Sequence, residues 1–208
     1  MADRHRRAGR PGRQRRLQAV RPGDVARVDA SRRMGRDKAA IVIEGMSCAD
    51  RVGRRLSLVA SPALEVGPGR SGLPVVHEEA RGQGPLCALV AGWRALTARG
   101  HRDRVIVLAC DLPLVTEGLL RFLACRPEPG SVVPVVNGQA QPLCARFGRL
   151  ALDNAARAAS AGHRSLAPLL EGDDVTWLEE EDWGRVADSQ AFSDMDSPAD
   201  LRRLGFAI

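Results

Sequence analysis

Tyrosine is absent from this chain, and with four Phe and three Trp in 208 residues aromatic side chains are few. Trp177 and Trp183 bracket an acidic run and read as packing residues, not a base-stacking platform. No apolar run approaches the roughly 20 residues that span a bilayer, and the N-terminus is arginine-rich where a secretory signal would turn apolar. A membrane span, a membrane partner and a secretory leader are therefore not expected. The five cysteines (Cys48, Cys87, Cys110, Cys125, Cys144) form no CxxC pair and are odd in number. That excludes a zinc ribbon or a disulfide framework and points to a reducing, cytoplasmic setting. His5, His77, His101 and His163 are too scattered to form a metal or catalytic constellation. Lysine is nearly missing as well: of 31 basic residues only Lys38 is a lysine. Where arginine supplies every other positive charge, a lone compact ammonium hints at a specific task.

What is present suits one globular domain. A chain of this length buries about 70% of its unfolded surface and needs no disulfide or metal to hold it. The net charge of +6 is unevenly spread. Residues 1–36 carry twelve Arg against Asp3, Asp24 and Asp29, while the remainder holds 19 basic and 22 acidic side chains. The basic character is that of a leader, and the body is mildly acidic. Nucleic-acid binding by the whole domain is therefore not expected. Arg, Gly and Pro without apolar periodicity cannot bury a core, so residues 1–30 are expected to be a disordered or misread leader preceding a domain over 31–208. A basic arm touching RNA or another anionic surface is the other reading.

The body alternates short apolar runs with helical stretches, the pattern of an α/β domain with a mainly parallel sheet flanked by helices. A helix is predicted over 47–58, capped by Ser47, and a short strand over 73–76 follows a Gly/Pro-rich loop. Residues 86–98 read as a helix with Pro85 in its first turn. The run 104–110 (RVIVLAC) is a strand of the kind buried on both faces of a parallel sheet, ending at a buried Cys110. Thr116 caps a helix to about Cys125. Two strands, 131–136 and 142–147, are joined by an Asn137-Gly138 turn. Helices over 150–160 and near 165–170, an edge strand 175–178, a solvated acidic loop 179–182 and a last strand 192–196 complete the expectation. Ser197-Pro198-Ala199-Asp200 would open a final helix.

Three clusters are candidates for chemistry. Asp111 follows the best strand, where α/β sheets bind ligands, and its carboxylate suits Mg²⁺ or, as plainly, a turn or helix cap. The run 31–38 (SRRMGRDK) offers small, cationic and Gly residues fit to cradle a phosphate, or continues the basic leader. Gly82-Gln83-Gly84-Pro85-Leu86 permits close backbone approach to a ligand, or simply starts a helix.

Taken in order, Ser31-x-Arg33-Met34-Gly35-x-Asp37-Lys38, Gly84-Pro85-Leu86, Cys110-Asp111-Leu112-Pro113, Gln141-Pro142-Leu143 and the run 192–201 (FSDMDSPADL) resemble the molybdenum cofactor guanylyltransferases, MobA-like NTP transferases. The resemblance spans about 31–204. It implies a single Rossmann-like three-layer domain of the nucleotide-diphospho-sugar-transferase kind, with a mostly parallel sheet. It also implies a Mg²⁺-dependent enzyme that moves GMP from GTP to the phosphate of the molybdopterin cofactor and releases pyrophosphate. By the same resemblance Lys38 and Arg33 contact phosphates as the catalytic cations, and Ser31, Gly35, Lys38, Glu78, Gly84 and Asp111 bind nucleotide. Asp111 holds Mg²⁺, and Asp194 and Asp196 lie toward the acceptor. Departures are visible. Glu78 stands where the family usually has Asp, and Asp194 and Asp196 where many members have Asn. Ala26-Arg27-Val28-Asp29 replaces a Leu-Ala-Gly-Gly loop, so a shifted reading frame before Ser31 or a catalytically impaired copy are both open. A cytidylyltransferase using CTP, or a relative with another phosphorylated acceptor, is the alternative activity.

Overall fold

A computed structural model of the chain describes residues 41–78, 82–195, Asp200, Arg203 and Gly205. The expected leader, Ser31, Arg33, Gly35, Lys38, Asp196 and most of the predicted final helix lie outside these residues. In chain order the elements are β1 (Val42–Ile43), β2 (Met46–Ser47), α1 (Cys48–Ser57), β3 (Glu65–Val66), β4 (Val75–Val76), α2 (Pro85–Ala98) and β5 (Val105–Leu108). They continue with α3 (Glu117–Cys125), β6 (Ser131–Val136), β7 (Gln139–Ala140), β8 (Cys144–Phe147), α4 (Arg149–Ser160), β9 (Val175–Leu178) and α5 (Glu180–Trp183).

The main sheet runs β5-β8-β6-β9, with β7 beside the end of β6. β8 is antiparallel to both β5 and β6, and β6 is parallel to β9. β5, β6 and β9 thus point one way, and β8 and the short β7 are reversed. Side chains alternate strictly between the two faces, as strand geometry requires. Ile106, Leu108, Val132, Cys144 and Leu178 pack with Val52 of α1, Leu119, Leu120 and Leu123 of α3 and Trp183 of α5. Val105, Val107, Val133, Ala145, Phe147 and Trp177 pack with Leu86, Leu89 and Trp93 of α2 and Leu152 and Ala155 of α4. The result is three layers with a core on each side of the sheet. Trp93 Nε1 donates to Asp153 Oδ1 at 3.2 Å, tying α2 to α4.

Local chemistry explains the element ends. Ser47 Oγ accepts the Asp50 N–H at 3.1 Å and caps α1, and Thr116 Oγ1 accepts the Leu119 N–H at 3.1 Å and caps α3. Asn137 and Gly138 have φ of 50° and 76°, the left-handed pair of a primed hairpin turn, which sets the Val136↔Gln139 register. Pro142, without an N–H to donate, falls in the interruption between β7 and β8. On β8 Arg146 is 1% exposed, and its guanidinium donates to Leu123 O, Arg126 O, Glu128 O and Gly130 O, closing the C-terminus of α3 onto the sheet. The β3–β4 loop folds over its own acid: Glu65 accepts N–H groups of Gly69, Arg70 and Ser71 and the Ser71 hydroxyl.

Several expectations need correction. The strand over 104–110 is shorter, its direct partner runs antiparallel, and its four residues are half-buried. Among the described residues it has a strand on one side only. Cys110 is exposed, because the chain has already left the sheet before it. The hairpin partner of β6 is Gln139–Ala140, and only Cys144–Phe147 of the second strand pairs with β5. The strand over 73–76 shrinks to Val75–Val76, and the helix near 165–170 is a single 3-10 turn, Ala167–Leu169. The acidic run 179–182 is not a loop. Glu179 and Asp182 form a capping box that starts α5, and the favourable placement of acids at a helix N-terminus explains the run. The strand over 192–196 is replaced by a 3-10 turn, Ser189–Phe192, ending in an extended Ser193. A hairpin at Glu44-Gly45 between β1 and β2 had no signal beyond the glycine; both residues have positive φ, and Arg51 holds the Glu44 carboxylate at 2.8 Å. No helix among the described residues is long and apolar enough to cross a membrane.

Candidate active site

β5, β6 and β9 share one carboxyl edge, and Asp111 lies there, three residues past the end of β5. Ala109 N–H still donates to Leu143 O at 2.8 Å, so the strand direction is kept to within two residues of the carboxylate. Beyond it Leu112 and Val115 are buried, and Val115 N–H closes a turn onto Leu112 O at 3.2 Å. Thr116 then starts α3. Two remote groups grip this turn. Arg55 Nη1, from the last turn of α1, donates to Pro113 O at 2.7 Å and Val115 O at 2.6 Å. Met195 N–H donates to Asp111 O at 3.0 Å, and the Met195 side chain is fully buried.

Met195 brings exposed Asp194 to the same end of the sheet as Asp111, which sequence spacing alone did not predict. The start of α1 lies close as well. The Cys48 thiol is pushed up to about 12, chiefly by burial, with Cys110 and Asp111 nearby adding to the shift. Glu78 and Gly84 belong to the β4–α2 connection. Glu78 is half-buried, and its Oε1 is buried without a hydrogen-bond partner among the described residues. Gly84 has φ of 98°, and a Cβ on it would meet Arg164 O at 2.6 Å, while Leu86 N–H donates to the same oxygen. Its need for glycine is therefore met inside the protein. Gly82, also at positive φ, would meet nothing within 4 Å.

The donor chemistry fits a hard divalent cation. Asp111 offers carboxylate oxygens at a strand end, and Glu78 carries an oxygen with no internal use. No cluster of three or more ligating side chains exists among the described residues. One carboxylate at a strand end suits Mg²⁺ that completes its shell with water and substrate phosphates, and does not suit a closed structural metal site. Spacing along the chain had no means of revealing Arg55, whose two acceptors lie 58 and 60 residues away.

Comparison with known proteins places this geometry. The molybdopterin-guanine dinucleotide biosynthesis protein A of Archaeoglobus fulgidus superposes with a TM-score of 0.66 at 22% identity, covering 83% of this chain and 91% of that one. The 2-C-methyl-D-erythritol 4-phosphate cytidylyltransferase of Thermus thermophilus superposes with a TM-score of 0.55 at 21% identity, covering 80% and 90%. The fold is thus the α/β fold of the nucleotidyltransferases. A family model of the MobA-like NTP transferase domain matches residues 29–175, and the chain belongs to that family of nucleotidyltransferase enzymes. A probable molybdenum cofactor guanylyltransferase of Opitutus terrae is 36% identical over 152 residues, 69% of this chain and 74% of the relative. One from Mycobacterium marinum is 30% identical over 178 residues, 81% and 88% of the two chains.

Proposed function

We propose that this nucleotidyltransferase transfers GMP from GTP to the phosphate of the molybdopterin cofactor. The observation that carries the reading is Asp111, set on a doubly held turn at the carboxyl edge of the sheet in a chain whose relatives bear guanylyltransferase names. An oxygen of the acceptor phosphate bonds to the α-phosphorus. The bond from that phosphorus to the bridging oxygen of the β-phosphate breaks, and its electron pair leaves with pyrophosphate. The attacking oxygen is already ionised, so no side chain has to act as a base.

The protein's work is positioning and charge neutralisation. Lys38 and Arg33 act on the phosphates, the first as a compact ammonium and the second as a planar fork. Ser31 and Gly35 line the phosphate loop, and Glu78 and the Gly84 helix start contact the nucleotide. Asp194 and Asp196 face the acceptor. Mg²⁺ at Asp111 supplies further neutralisation of the phosphates when bound. The five free thiols suit a reducing compartment.

Thermal stability in Mg²⁺ with GTP, CTP or ATP tests this. A nucleotide at 100 times its dissociation constant adds about 2.7 kcal/mol. For a domain of this size that raises Tm by roughly 5–10 °C. A shift with GTP that Asp111→Ala abolishes is the expected result. A shift with CTP alone assigns the cytidylyl reaction instead. No shift with any nucleotide marks a chain that does not work as an enzyme.

A further inference from the structure

We propose that Arg55 is a positioning residue for Asp111, fixing through the turn after it where the carboxylate sits; the proposal rests on the reading of Asp111 as the cation-binding acid. Arg55 is in the last turn of α1, remote in sequence from the site. Its guanidinium reaches across to two carbonyls of one turn, Pro113 O at 2.7 Å and Val115 O at 2.6 Å. Pro113 and Val115 are both buried, so no water replaces this donor cheaply. Among the described residues the cation pairs with no carboxylate. Its charge is spent on carbonyl dipoles two and four residues beyond Asp111.

The packing of α1 on α3 has other means. Val52 meets Leu119, Leu120 and Leu123 in the core, and Arg121 Nη2 on α3 donates to Leu58 O at 3.2 Å. What Arg55 adds is location. With Met195 N–H holding the Asp111 carbonyl from one side, Arg55 holds the following turn from the other. With the Asp111 backbone and the turn after it both held, the segment that carries the carboxylate does not have to be ordered when the cation and nucleotide arrive. A side chain that orients a metal ligand through a second layer of bonds is worth about 10–100-fold in metal affinity or activity.

The experiment compares the full chain with Arg55→Met, Arg55→Lys, Arg121→Met and Asp111→Asn. Mg²⁺ is titrated at a fixed concentration of whichever nucleotide stabilises the wild type, with binding followed by calorimetry and turnover by pyrophosphate release. Arg55→Met should raise the Mg²⁺ concentration for half-saturation about tenfold. Arg55→Lys, whose ammonium lacks the reach and planar fork that serve both carbonyls, should still raise it about threefold and stands in if the methionine variant does not fold. Arg121→Met removes an α1–α3 bond without touching the turn, and should lower Tm while leaving the Mg²⁺ requirement within about twofold. If Asp111→Asn abolishes Mg²⁺-dependent binding but Arg55→Met and Arg55→Lys titrate like wild type, the role of Arg55 is overturned and that of Asp111 stands. If wild-type binding ignores Mg²⁺ and Asp111→Asn is silent, both fall together. An Arg121→Met shift equal to that of Arg55→Met would make the effect general loosening, and would also overturn the proposal.

Discussion

Replacing Arg146 with methionine keeps most of the side-chain volume and removes a guanidinium that bonds four carbonyls. Three of them, Arg126 O at 2.7 Å, Glu128 O at 2.5 Å and Gly130 O at 3.2 Å, belong to half-buried residues and can recover water. Leu123 O, at 3.3 Å, belongs to a fully buried residue at the end of α3 and cannot. A stranded buried carbonyl costs about 1–3 kcal/mol, and bonds to a charged donor are worth about 1.5–3 kcal/mol more than none. Rehydration and the apolar burial of methionine return part of this, leaving a net loss of about 3–5 kcal/mol, the range seen when one side of a buried charged network is deleted. In a domain of this size that lowers Tm by roughly 6–20 °C. Equilibrium denaturation in urea, followed by tryptophan fluorescence, measures it directly. Arg146→Lys should fall between the two, since one ammonium cannot serve all four oxygens. A methionine variant within about 0.5 kcal/mol of wild type would refute the reasoning and show the loop over 126–130 to be held by something else.

Gly84→Ala should cost at least about 1–2 kcal/mol from its positive φ and more from the 2.6 Å approach of Arg164 O, whereas Gly138→Ala, with open space at Cβ, should lose only the backbone part. Equal losses in thermal denaturation would contradict the close contact. Burial works to raise the pKa of Glu65, yet the Ser71 hydroxyl and the N–H groups of Ser71, Gly69 and Arg70 outweigh it and hold the carboxyl below its usual range. With a folded-state pKa below the unfolded one near 4.3, its contribution is complete above about that pH and is lost as pH falls through the lower folded value. Glu65→Gln should therefore be less stable than wild type at neutral pH, with the gap closing below about pH 4; a gap that does not change with pH speaks against the nest. Burial pushes the thiols of Cys48 and Cys144 up to about 12, while Cys110 and Cys125 are exposed. A thiol-reactive dye at pH 8 should label the exposed pair first and the buried pair only after unfolding. Five thiols reacting at one rate would be incompatible with these placements.

The helices were legible because caps and apolar spacing act locally. Ser47, Pro85 and Thr116 each lie at the start of the helix they predict. The Asn137-Gly138 turn was legible for the same reason, since two left-handed residues leave few geometries open. Strand direction was not. Whether the partner of β5 runs with it or against it depends on β8 returning between β5 and β6, a choice of the sheet that no short window encodes. The acidic run 179–182 misled because solvated loops and helix starts use the same side chains. At the site, Asp111 could be placed from its strand, but Arg55 and Met195 act across long sequence separations and leave no periodic trace.

The bond from Met195 N–H to Asp111 O also sets an order of assembly. A ribosome delivers β5 and α3 long before residue 195, so a growing chain can fold the sheet's carboxyl edge while one of the two grips on the Asp111 turn does not yet exist. Such a chain would hold the Asp111 turn less firmly than the released protein does. Completion of the nucleotide site is thereby deferred until nearly all of the described domain has been made, and a product truncated before the 3-10 turn Ser189–Phe192 would keep most of the fold without a fully held site.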